Sequence, residues 1–131
     1  MLVSNKHEAA IKQCDKIVQQ YKDKMNELRE EFVQLLSFKA DALVKLGRPE
    51  QALNTYKEAQ QLDSENEMVI LQVADMLLEL KRYKELLVLC DKIIAINPKE
   101  PDSYVLKAKA IVNLIELQGS FFGYHLVKCD I

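Results

Sequence analysis

The chain has 131 residues, enough for one modest hydrophobic core. With 29% charged residues, 49% apolar residues and a net charge of −2, it reads as an ordinary globular chain. It lacks the basic surplus that nucleic acid demands, so nucleic acid is not an expected partner. No apolar run approaches the ~18 residues of a bilayer span, and the opening Met1-Leu2-Val3-Ser4-Asn5-Lys6 turns polar at once, so neither a membrane segment nor a secretory leader is expected. Cys14, Cys90 and Cys129 are widely spaced and odd in number, which argues against a disulfide framework and for a reducing compartment, with the cytoplasm as the expected location.

The first element is residues 1–32. Ile11, Cys14, Val18, Tyr21, Met25, Leu28 and Phe32 alternate by three and four, a heptad-like seam. No Gly or Pro occurs before Gly47, so the spacing predicts one long helix here. Such a stripe either drives self-association as a homodimer or packs on the next helix of the same chain; the second is preferred, because the flanking positions show no orderly charge pairing. Cys14-Asp15-Lys16-Ile17-Val18 also echoes Cys90-Asp91-Lys92-Ile93-Ile94.

Residues 33–66 predict two amphipathic helices. Leu36, Ala40, Leu43 and Leu46 share the face of one, and Ala52, Leu53, Tyr56, Ala59 and Leu62 the face of the other. Gly47-Arg48-Pro49 separates them, Gly suiting a helix end and Pro the first turn of the next helix. Asp63-Ser64-Glu65-Asn66 closes the pair and offers capping side chains to the next helix.

Residues 67–100 repeat this pattern at a shift of 34. Ala40 falls on Ala74, Leu43 on Leu77, Leu46 on Leu80, Tyr56 on Cys90 and Ala59 on Ile93, with a break near Lys81-Arg82 and a stop at Asn97-Pro98. A third unit, residues 101–131, continues the register through Ala108, Ile111 and Leu114. It becomes irregular after residue 117, where Gly119 and Gly123 each cost a helix roughly 1 kcal/mol relative to Ala. The aromatics Phe121, Phe122 and Tyr124 are expected to fold back on the helix before them.

The period, the two-helix unit and the stretches "GRPEQALNTYKEAQQLDS" and "RYKELLVLCDKIIAINP" resemble the tetratricopeptide repeat (TPR) family, most clearly over residues 33–117. Ala40, Ala74 and Ala108 match the small slot where two helices touch. Leu36 and Ile70 stand where the family often has an aromatic, and Leu86 where it often has a small residue, which suggests looser helix spacing there. The resemblance implies an all-α fold, a TPR-type right-handed superhelix of antiparallel helical hairpins (an α-solenoid), and a binding groove lined by the first helix of each hairpin. That places Phe38, Asp41 and Lys45, then Met68, Leu71, Gln72, Asp75, Leu78 and Glu79, then Val105, Leu106 and Lys109 in the partner-binding groove. The co-chaperones of the family grip the C-terminal carboxylates of Hsp70 and Hsp90 with cationic and amide side chains. The matching places here hold Ser37, Asp41, Gln72, Asp102 and Leu106, so no Hsp70/Hsp90-type carboxylate clamp is expected.

No Gly-rich phosphate loop, Cys-x-x-Cys pair or His-Glu-x-x-His run is present, so no cofactor, metal or catalytic constellation is expected. Cys14 and Cys90 read as inward core positions. Together these features imply a non-enzymatic scaffold or adaptor for a protein or peptide partner. The alternatives are self-association through the N-terminal seam, or a piece of a larger TPR assembly subunit.

Overall fold

The computed structural model describes residues 2–118, and among these the regular structure is helical throughout. Helix α1 spans Leu2–Gln20, α2 Arg29–Lys45, α3 Pro49–Leu62, α4 Glu67–Glu79, α5 Tyr83–Ile96 and α6 Pro101–Gln118. The expectations for Phe121, Phe122, Tyr124 and Cys129 lie outside the described residues. The chain divides into two compact units, Met1–Leu80 and Lys81–Ile131.

In the first unit α1 packs on α2, α2 on α3 and α3 on α4. Leu53, Ala52 and Ala59 of α3 are fully buried, as are Ala40 of α2 and Ile70 and Ala74 of α4. Val33, Leu36, Ala59 and Val69 form one apolar cluster, with the half-buried Leu62 against it. The small side chains at 40, 52, 59 and 74 let helix backbones approach, so the larger ones interlock around them.

The loops obey their local chemistry. Gly47 ends α2 with φ +74°, and the Arg48 N–H donates to the Leu43 carbonyl at 2.9 Å, a left-handed helix stop. Pro49 then opens α3. Asn66 caps α4, its side-chain oxygen accepting from the Val69 N–H at 3.2 Å. Lys81, one period after Gly47, takes the same left-handed turn with φ 61°.

The long helix expected over residues 1–32 is not formed. α1 ends at Gln20, a 3₁₀ turn covers Lys22–Lys24, and α2 begins at Arg29. The reason is tertiary: α1 packs against α2, and a chain that folds back on itself must reverse direction first. The seam is therefore no continuous stripe. Ile11, Cys14 and Phe32 are buried within the unit, whereas Tyr21 lies exposed in the connector.

In the second unit α5 packs on α6. Leu86, Cys90 and Ile93 of α5 and Ser103 and Ala110 of α6 are buried. Here a second expectation fails: Ala108 does not fill a small slot but is exposed, while Ala110 is fully buried. α6 turns the side bearing Ser103 and Ala110 inward, and no described residue covers the side bearing Tyr104, Ala108, Ile111 and Ile115.

Candidate functional site

The groove residues of the first unit sit on α2 and α4, between the buried positions that hold these helices in place. On α2, Leu36, Ala40 and Leu43 point into the core, which leaves Phe38, Asp41 and Lys45 outside. On α4, Val69, Ile70, Val73, Ala74 and Leu77 are buried, so Met68, Asp75 and Glu79 are exposed. Phe38 keeps 59% of its surface accessible and Met68 71%, large apolar side chains that folding leaves in water. Leu71, Gln72 and Leu78, also expected in the groove, are half-buried and contribute only part of their surface. Gln72 carries a buried Oε1 with no hydrogen-bond partner.

Tyr56 of α3 ties this face to the core. Its ring is 3% exposed, and its hydroxyl donates to the Asp41 carboxylate. Burial holds the Tyr56 phenol well above its ordinary value, reinforced by that hydrogen bond and by the negative charges of Asp41 and Asp75. One hydroxyl is thus in electrostatic reach of an acid from α2 and an acid from α4. Sequence reading placed Tyr56 in the core and Asp41 in the groove but had no means of joining them.

In the second unit Val105 and Lys109 are exposed and Leu106 is half-buried. Nearby, Tyr104, Ile111, Val112 and Ile115 form an exposed apolar side of α6. Sequence reading missed this surface because the register aligns Tyr104 and Ile111 with positions that are core in α2 and α4. Of the clamp positions, Asp41 and Asp102 are exposed acids, Ser37, Gln72 and Leu106 are half-buried, and none is cationic.

Cys14 and Cys90 are buried free thiols. Burial raises both above the usual thiol range, with Asp15 and Asp91 adding to the effect. A raised, buried thiol is a poor nucleophile, so neither suggests chemistry. Among the described residues, His, Cys, Asp and Glu side chains nowhere gather in a group of three that could hold a metal ion. No helix of the described residues is long and apolar enough to cross a membrane.

Solved structures resemble the chain to different degrees. One titled "MamA RS-1 ArsTM double mutant" superposes with a TM-score of 0.59 at 20% identity, over 83% of this chain and 68% of that one. PcrH from Pseudomonas aeruginosa covers 87% of this chain and 92% of its own at 17% identity, with a TM-score of 0.46. No family model matches the chain, and no curated protein matches it by sequence. With its repeat register, the first of these likenesses defines the class: an all-α fold of the tetratricopeptide-repeat type.

Proposed function

We propose that the chain is a non-enzymatic scaffold or adaptor that docks a peptide or amphipathic helix of another protein on the outer sides of α2 and α4. The observation that carries the reading is the pair Phe38 and Met68, open to water although Leu36 and Ala40 of α2 and Val69 and Ile70 of α4 are buried. Apolar anchors among polar neighbours are what a protein interface uses at its centre and rim. Asp75 and Glu79 on the rim suit a partner segment with basic residues. Val105, Leu106 and Lys109 are proposed as a separate contact of the second unit. A protein ligand fits the absence of any recognisable chemistry in the sequence, and a reducing, cytoplasmic setting fits the two buried thiols.

The test is affinity capture from a lysate with the whole chain, set against Phe38→Ala and Leu71→Glu. Saturable capture weakened by both variants is the expected result. Equal capture by all three proteins would remove the groove assignment.

A second reading is self-association, favoured by the exposed apolar side of α6 at Tyr104, Ile111, Val112 and Ile115. It requires a sedimentation mass that rises with concentration and a fall to the monomer mass in Ile115→Glu. A monomer at every concentration removes it.

A further inference from the structure

A recess in the first unit has the opposite electrostatic character to the acidic rim. Lys6 and His7 on α1 and Phe38, Asp41 and Lys45 on α2 surround a cleft of about 360 Å³. Small side chains at Ala10 and Ala42 leave room between the two helices. The volume lies at the low end of the ~300–1,000 Å³ typical of ligand clefts, so it admits a short piece of a chain and not a whole helix.

Two other cations near this helix pair are already engaged. Lys39 pairs with Asp15 at 2.6 Å, and Arg48 with Glu8. Among the described residues no ion pair engages Lys6 or Lys45. Among the described residues that line the cleft, Asp41 is the one carboxylate, and it accepts a hydrogen bond from the Tyr56 hydroxyl. Among its described lining residues the cleft therefore presents two ammonium groups and one carboxylate beside an exposed aromatic ring, and that carboxylate, Asp41, is held toward Tyr56.

We infer that this cleft binds an acidic, apolar segment of a partner protein, one apolar side chain lying against Phe38 and neighbouring carboxylates meeting Lys6 and Lys45. Charge complementarity selects the occupant. A basic segment meets two like charges here, and like charges juxtaposed at an interface are strongly disfavoured. An uncharged segment gains nothing from either ammonium group. The inference rests on the protein-binding reading above and narrows it. The docked partner carries acid where it meets the start of α1, and its basic residues belong toward Asp75 and Glu79 of α4.

The experiment is an amide-resonance titration of the isotope-labelled whole chain with two synthetic pools of octapeptides. One pool is randomised over Asp, Glu, Leu and Phe, the other over Lys, Arg, Leu and Phe. The acidic pool should shift the amides of Lys6, His7, Phe38 and Lys45 saturably, and the shifts should shrink as salt is raised. In the double variant Lys6→Glu/Lys45→Glu the apparent affinity should fall about tenfold or more. Lys6→Gln/Lys45→Gln serves as the milder pair should charge reversal disturb folding. Absence of saturable shifts, equal shifts from the basic pool, or unchanged affinity in the charge variants would each overturn the inference. Acidic-pool binding together with partner capture unaffected by Leu71→Glu upholds the cleft and sinks the groove reading. Capture that depends on Leu71, without acidic-pool binding, does the reverse.

Discussion

Lys39 of α2 and Asp15 of α1 form an ion pair at 2.6 Å. The same pair recurs in the second unit between Lys107 of α6 and Asp91 of α5 at 2.7 Å. Lys39 and Lys107 stand two repeat periods apart, and Asp15 and Asp91 come directly after the matching cysteines of the Cys-Asp-Lys-Ile echo. In side-chain terms α1 therefore stands to α2 as α5 stands to α6. The pairs set register between helices more than they add stability. Asp15→Asn should cost no more than about 0.5 kcal/mol in urea unfolding at low salt and nothing measurable at high salt. A loss near 2 kcal/mol, on the scale of a buried charged hydrogen bond, would show that the pair is more than a surface contact.

Tyr56 should behave differently, because its hydroxyl is bonded from inside the core. Tyr56→Phe is expected to cost about 1 kcal/mol, the usual net worth of one hydrogen bond. The phenol's folded value is raised, so the folded state holds its proton more tightly than the unfolded chain does. That contribution is fully present below the ordinary tyrosine range near pH ~10 and is lost as pH rises through the folded value. Stability measured by denaturant at increasing alkaline pH should therefore fall less steeply in Tyr56→Phe than in the parent. Parallel curves would contradict the assignment.

Gly47 and Lys81 occupy equivalent left-handed turns, one with the residue suited to it and one without. Nothing lies within 4 Å of where a Cβ on Gly47 would stand, so Gly47→Ala meets backbone strain and no clash. It should destabilise by about 1 kcal/mol, while Lys81→Gly should stabilise by about 0.5–1 kcal/mol. Thermal melting of the two variants checks this, and opposite shifts are the expected signature.

Ala40 and Ala108 share the repeat register but not their surroundings. Ala40→Leu should overpack the α2 slot and cost about 1–3 kcal/mol. Ala108→Leu, on an exposed surface, should stay within about 0.5 kcal/mol of the parent. Equal penalties would mean that Ala108 is covered in solution.

The limits of sequence reading fall at identifiable residues. The apolar register located α2 through α6 because buried positions at 36, 40 and 43 recur at 70, 74 and 77, and burial enforces that spacing. Punctuation at Gly47, Pro49 and Asn66 carried its own local chemistry, so those boundaries were legible. The turn at residues 21–28 was not, since Tyr21 and Met25 continue the three-and-four spacing and no Gly or Pro interrupts it. Only the packing of α1 on α2 demands the reversal, and that is a long-range fact. Ala108 misled for a related reason: a register states which side of a helix can be buried, not whether a neighbour is there to bury it. Phe38, Asp41 and Lys45 are expected on the outer side of α2 from the family resemblance together with helical periodicity. Lys6 and His7 joined them only when α1 folded back.

The Tyr56–Asp41 hydrogen bond also bears on how a partner is received. An interface usually costs about 0.5–1.5 kcal/mol for each rotamer-rich side chain that it immobilises, and less for a short one such as aspartate. Asp41 has given up that freedom on folding, because a tyrosine anchored in the core already holds it in one orientation. A binding surface with such a fixed point starts closer to its bound shape. Its selectivity between partners then depends on how well each matches that orientation, and less on how readily the surface adapts.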